Sequence, residues 1–129
     1  MIGWSLFALA AAGLVAVGLG ALVAPRTAAS QYGIVVDDPR ALAFVRAMAV
    51  RDLVIGVLLG LMATSGSRWL VAWALYVTAV IALVDFAVVT IDRPGTARRD
   101  GGPVVPPRVL HAAGAIGFGL AGAVLHAGY

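Results

Sequence analysis

Four charged residues that stand inside otherwise apolar runs are the side chains of this sequence best suited to chemistry. Arg46, Arg51 and Asp52 lie in a run rich in valine, leucine, isoleucine and methionine, and Asp85 lies in another. A charge in a lipid-embedded helix costs roughly 3 kcal/mol unless it is paired or wetted. Two carboxylates in different surroundings hold a proton with different strength and can divide the roles of donor and acceptor. We therefore predict Asp52 and Asp85 as catalytic residues.

The predicted substrate-binding residues are Arg46, Arg51, His111, Trp73 and Tyr76. The two arginines would hold an oxygen-rich or anionic group, and the two aromatic residues lie about one helical turn apart. Each residue also has a plainer explanation. Arginine ion pairs fix helix packing, aromatic side chains anchor helices at membrane interfaces, and a histidine near the end of a span can face water. Both kinds of explanation stay open at this point.

Composition predicts a membrane protein. The chain has 129 residues, of which 62% are hydrophobic and only 12% charged, too few to cover a soluble globule of this size with polar groups. This length allows a single domain over residues 1–129. The nine basic residues are all arginines that flank or lie in apolar runs, so we expect no nucleic-acid partner. Cysteine is absent, and no spacing of histidine and carboxylate residues resembles a zinc or di-iron site, so no metal or cofactor is expected.

Four apolar runs are long enough to cross a membrane as helices. They cover about residues 2–24, 43–63, 69–91 and 109–128. The predicted fold class is therefore all-α, an integral membrane four-helix bundle with four transmembrane helices. The polar stretch between the second and third runs is so short that these two helices should be antiparallel neighbours.

The distribution of arginines predicts the orientation of the chain. Six arginines lie in or beside the connections 26–40 and 92–108, whereas Arg68 stands alone on the other side. By the positive-inside rule these connections are cytoplasmic, and both termini lie on the non-cytoplasmic side. The predicted localisation is the cell membrane, with several passes. The four buried charges would then lie in the cytoplasmic half of the bundle.

The order of several segments resembles a known family. The segments are APRTAASQYGI, FVRAMAVRDLVIGVLL and LVDFAVV, followed by a histidine that opens a last helix rich in glycine and alanine. They resemble small bacterial and fungal four-span membrane proteins that are filed as a domain of unknown function, near the broad DoxX-like group. The most specific parts are Arg46-x4-Arg51-Asp52-x3-Gly56 and the lone Asp85. The resemblance implies a four-helix membrane fold and a site around these residues, and it implies no reaction.

Three functional hypotheses follow. In the first, the protein lies among membrane lipids as its partners and binds a small lipophilic molecule with a polar end. It then catalyses an acid–base isomerisation or cyclisation of that molecule. In the second, it is a small oligomeric transporter or channel for an anion or a proton. In the third, it is a non-enzymatic membrane assembly subunit, because the glycines of the first and last runs suit close helix crossings or a homo-oligomer contact.

Overall fold

The computed structural model describes residues 1–31, 38–91 and 107–128, and all regular secondary structure within these ranges is helical. The elements are α1 (Ile2–Val23), α2 (Pro25–Gln31), α3 (Pro39–Ala63), α4 (Arg68–Ile91) and α5 (Pro107–His126). The all-α prediction therefore holds. The short helix α2 was not predicted, because seven residues carry too little periodic signal to be separated from a connection.

The prediction of four transmembrane helices is wrong. Three helical stretches in the described ranges are long and apolar enough to cross a membrane, and they indicate a membrane protein. They are Ile2–Val23, Arg68–Val88 and Val109–His126. The helix over the predicted second span, α3, does not qualify. Arg46, Arg51 and Asp52 stand near its middle and interrupt the apolar stretch that a span requires.

Local signals in the sequence explain where α3 and α4 begin. Asp38 caps α3, since its Oδ1 accepts a hydrogen bond of 2.9 Å from the backbone N–H of Arg40, and Pro39 takes the first helical position. Ser67 precedes α4, and its Oγ accepts a 3.3 Å hydrogen bond from the N–H of Leu70. Gly66, in the turn between the two helices, has a φ of +69°, a conformation that glycine adopts without strain.

Helices α1 and α3 form one closely packed antiparallel pair. A Cβ atom added to Gly18 would lie 2.7 Å from the backbone N of Leu53, and one added to Gly56 would lie 3.0 Å from the carbonyl O of Ala11. The late part of α1 thus contacts the middle of α3, and the later part of α3 contacts the middle of α1. Glycine at these crossings lets the two backbones touch.

Helices α4 and α5 form the second antiparallel pair. A Cβ atom on Gly122 would lie 3.2 Å from the carbonyl O of Ala72, and one on Gly114 would lie 3.7 Å from the Cβ of Ala82. Because the helices alternate in direction, α1 and α4 finish at the same end of the molecule, where α3 and α5 begin. We call this the connection end, and the opposite end, which holds the turn between α3 and α4, the turn end.

The hydrophobic core that joins the two pairs lies towards the turn end. Leu59 from α3, Val71 and Leu75 from α4 and Leu125 from α5 are almost completely buried there, and Phe7 from α1 packs with them. The two pairs are therefore closed against each other over one half of their length. The site described below occupies the other half.

Candidate functional site

A cavity of about 450 Å³ lies between the two helix pairs, in the half towards the connection end. Helices α1, α3, α4 and α5 all contribute to its wall, and most of the lining side chains are apolar. Representative members are Leu9, Leu14, Ile55, Ile81, Leu110 and Phe118. Ligand pockets for small molecules commonly have this size and this apolar character, with a few polar groups that fix orientation.

The polar part of the wall centres on a bridge from α3 to α4. Arg51 donates from Nη2 to Asp85 Oδ2 over 2.9 Å and from Nη1 to Asp85 Oδ1 over 3.4 Å. Both carboxylate oxygens of Asp85 therefore accept from the same guanidinium. This two-point geometry is the favoured arrangement of an arginine with a carboxylate, and here it connects one helix pair to the other.

Asp52 binds the same guanidinium from the neighbouring position on α3. Its Oδ1 accepts from Arg51 Nη2 over 3.0 Å and from Arg51 Nε over 3.1 Å, whereas Arg51 makes no bond to Asp52 Oδ2. We refer to Arg51, Asp52 and Asp85 as the charged cluster. Their side chains are 33%, 18% and 21% exposed, so the cluster is partly exposed and partly covered by the helices.

Two residues add polar groups to the same cavity. His111, at the start of α5, is half-buried and close enough to Asp85 and Asp52 to interact with both electrostatically. Thr78 on α4 is only 5% exposed, and its hydroxyl donates to the carbonyl O of Ala74 over 2.9 Å. Thr78 was not among the predicted site residues, because a single threonine in an apolar helix carries no signal of which face lines a cavity.

The structure places the remaining predicted site residues outside the cavity. Arg46 is exposed on α3 and does not contribute to the wall. Trp73 and Tyr76 belong to a chain of ring contacts near the turn end, in which Trp73 lies 5.8 Å from Trp69 and 5.7 Å from Tyr76, and Tyr76 lies 6.2 Å from His126. The cavity therefore gives no support to a role for Arg46, Trp73 or Tyr76 in substrate binding.

Comparison with known proteins identifies the family. The sequence model of a family described as "Domain of unknown function (DUF4267)" matches residues 11–125. The chain belongs to this family. The match confirms the predicted membership of a family of unknown function, and it spans the charged cluster and all of the cavity wall except two residues of α1. It does not address the DoxX-like neighbourhood or the bacterial and fungal range, which stay predictions.

Neither the curated proteins nor the solved structures contain a match to this chain. Among the residues that the structure describes, no three histidine or carboxylate side chains come together in a way that could hold a metal ion.

Proposed function

We propose that the cavity binds a small lipophilic molecule with a polar end, and that Asp52 promotes an isomerisation or cyclisation of it by acid–base chemistry while Asp85 holds the Arg51 guanidinium beside it. The observation that carries this proposal is the combination of one apolar cavity with one charged cluster in its wall. A molecule held there would lay its apolar part against the leucine, isoleucine and phenylalanine side chains. Its polar end would then meet the carboxylates.

The unequal bonding of the two acids supports a division of their roles. Arg51 engages both oxygens of Asp85 but only Oδ1 of Asp52. We assign Asp52 the role of exchanging a proton with the ligand through Oδ2, and Asp85 the role of holding the guanidinium in place. In an isomerisation the base removes a proton from one position, and a proton returns at another, so no oxidant or reductant is needed.

The proposal is tested by identifying what the protein carries out of the membrane. Wild-type protein and the variant Gly117→Leu would be purified in detergent, and their bound lipophilic molecules would be compared by mass spectrometry. Gly117 lines the cavity and has open space around its missing Cβ, so leucine should fill the cavity without touching the charged cluster. Gly119→Leu is the matched control, because Gly119 also has open space but lies outside the wall.

We expect a molecule that is retained by wild type and Gly119→Leu and lost from Gly117→Leu. For the catalytic part, Asp52→Asn should retain a different isomer of the same mass from the one that the wild type retains, separable by chromatography. A retained set identical in all the variants would refute ligand binding in the cavity. The same isomer in wild type and Asp52→Asn would refute the acid–base role.

The transporter hypothesis has less support from the geometry. Between Thr78 and the turn end, the described core consists of apolar residues that are almost completely buried. They include Leu59, Leu75 and Leu125. They offer no continuation of the polar wall towards that end. The assembly-subunit hypothesis stays a prediction. Two of the glycines that it invoked, Gly18 and Gly122, are used for crossings within the chain.

For the orientation, we propose that the connection end faces the cytoplasm of a cell membrane. Two features support this. The antiparallel helices place the ends of α1 and α4 and the starts of α3 and α5 at the connection end, and the six arginines of the connections lie in or beside the sequence segments that join these helix ends. The short turn at the opposite end is followed by Arg68 alone.

Single cysteines would test this orientation, because the sequence contains none. Ser65, in the turn before α4, and Thr90, near the end of α4, are both exposed and lie on opposite sides of the candidate span Arg68–Val88. In intact cells, a membrane-impermeant maleimide should label Ser65→Cys and reach Thr90→Cys only after permeabilisation. The reverse pattern would contradict the proposed orientation.

A further inference from the structure

We infer that the polar end of the ligand is a protonated amine. This inference rests on the proposed function, because it concerns the molecule that the cavity takes. It differs from the expectation drawn from the sequence, in which two arginines would hold an oxygen-rich or anionic group. The charges that the structure brings to the cavity wall are the reason for the change.

The fixed charge of the cavity wall is negative. Among the described lining residues, Arg51 supplies one positive charge, and Asp52 and Asp85 supply two negative charges. Helix α1 contributes only apolar residues and glycine to the wall. Among the described lining residues of α5, the ionisable one is His111. With a neutral imidazole, the wall therefore has one carboxylate in excess of its guanidinium.

Arg51 is poorly placed to hold an anion as well. Its Nε, Nη1 and Nη2 atoms all donate to carboxylate oxygens at distances of 2.9–3.4 Å. These bonds use four of its five N–H groups, and an anionic group bound at the remaining N–H of Nη1 would lie beside the two carboxylates and be repelled by them. The second arginine of α3, Arg46, is exposed outside the cavity wall and cannot compensate.

A primary ammonium group fits this arrangement. It has three N–H donors and no acceptor, which matches carboxylate oxygens that accept only. It can approach Asp52 Oδ2, the oxygen that Arg51 does not engage, without breaking a bond of the cluster. One lone pair of Oδ2 then accepts from the ammonium, and the other stays available for the proposed proton exchange with a neighbouring atom of the ligand. The added positive charge removes the excess negative charge of the wall, and an attached apolar chain has the rest of the cavity to fill.

Three probes of equal chain length test this inference: octylamine, octanol and octanoate. Binding of each to the full chain in a neutral detergent would be measured by isothermal titration calorimetry at a pH of about 8, where an ordinary imidazole is neutral and an alkylamine is protonated. We expect octylamine to bind at least about tenfold more tightly than octanol, equivalent to ~1.4 kcal/mol, and octanoate to bind most weakly.

Asparagine variants show whether the carboxylates cause the preference. In Asp52→Asn and in Asp85→Asn the wall loses its excess negative charge, so the advantage of octylamine over octanol should fall to less than about threefold. Asp52→Asn keeps both hydrogen bonds between Arg51 and Asp85, which makes it informative even if Asp85→Asn fails to fold. An undiminished advantage in Asp52→Asn would overturn the inference.

The cavity-filling variant separates failure of this inference from failure of the proposed function. If octanol and octanoate bind to wild type and Gly119→Leu but not to Gly117→Leu, while octylamine binds no better, the cavity takes lipophilic molecules and only the amine inference is wrong. If no probe binds in a manner that depends on Gly117, the proposed function fails as well.

Discussion

Replacing Arg51 with methionine would leave Asp52 and Asp85 without the guanidinium that both carboxylates bind. Methionine keeps much of the length of the arginine chain, so the main loss is that of the charge and its hydrogen bonds. Those bonds include the contacts of 2.9 and 3.4 Å that connect α3 to α4 across the cavity. We therefore expect the variant to be less stable, with the loss caused by two carboxylates that have lost their shared partner.

The magnitude follows from the burial of the cluster. Removing one partner of a buried ion pair costs about 3–5 kcal/mol, whereas an exposed pair is worth about 0–1 kcal/mol. The side chains of the cluster are 18–33% exposed, which lies between these limits. We expect Arg51→Met to lower the free energy of unfolding by roughly 2–3 kcal/mol.

The assay is reversible unfolding of the detergent-solubilised protein by a denaturing detergent, followed by circular dichroism. Arg46→Met is the matched control, because it makes the same chemical change on the same helix at an exposed position outside the cluster. It should change the free energy of unfolding by less than about 0.5 kcal/mol. The triple variant Arg51→Met, Asp52→Asn, Asp85→Asn should recover most of the loss, since no uncompensated charge remains.

Two results would refute this reasoning. Equal stability losses in Arg51→Met and Arg46→Met would mean that the bridge between α3 and α4 contributes nothing specific. A triple variant as unstable as Arg51→Met would mean that the loss does not come from the orphaned carboxylates.

Two further predictions concern the scaffold. Gly18→Ala should destabilise the protein by about 1–3 kcal/mol, because the new Cβ would meet the backbone of Leu53. Gly20→Ala, which has open space around the new Cβ, should not destabilise it. Equal melting temperatures for the two variants would contradict the tight crossing. Asp38→Ala should cost about 1 kcal/mol through the lost cap, and Asp38→Asn much less; equal losses in denaturant unfolding would show that the capping bond is not the cause.

Apolar runs and capping signals in the sequence predict most of the helices, but they do not predict which of the helices can span a membrane. The run from Phe44 to Met62 is apolar apart from its three charges, and its length and composition therefore predict a span. The structure shows those charges near the middle of α3, where they leave no apolar stretch of sufficient length. The charges are evident in the sequence, and the expectation that their pairing would let this helix span a membrane was wrong.

The predicted site illustrates a second limit. Arg46 and Arg51 are five residues apart, so they point in directions about 140° apart around a helix, and only one of them can line a given cavity. Which one does so depends on where α4 and α5 pack, and a single sequence does not contain that information. For the same reason, the sequence does not show that Thr78, among the polar residues of its helix, lines the cavity.

The most direct test of the central claim is photo-crosslinking with an alkyl alcohol that carries a diazirine, followed by mapping of the labelled residues by mass spectrometry. On α4, Ile81 and Ala82 line the cavity, whereas Val80 and Val84 are exposed on the outer surface. We predict that excess octanol abolishes labelling at the cavity residues and leaves labelling of the outer valines unchanged. Equal labelling of both faces, with no effect of octanol, would contradict a lipophilic ligand site between the helix pairs.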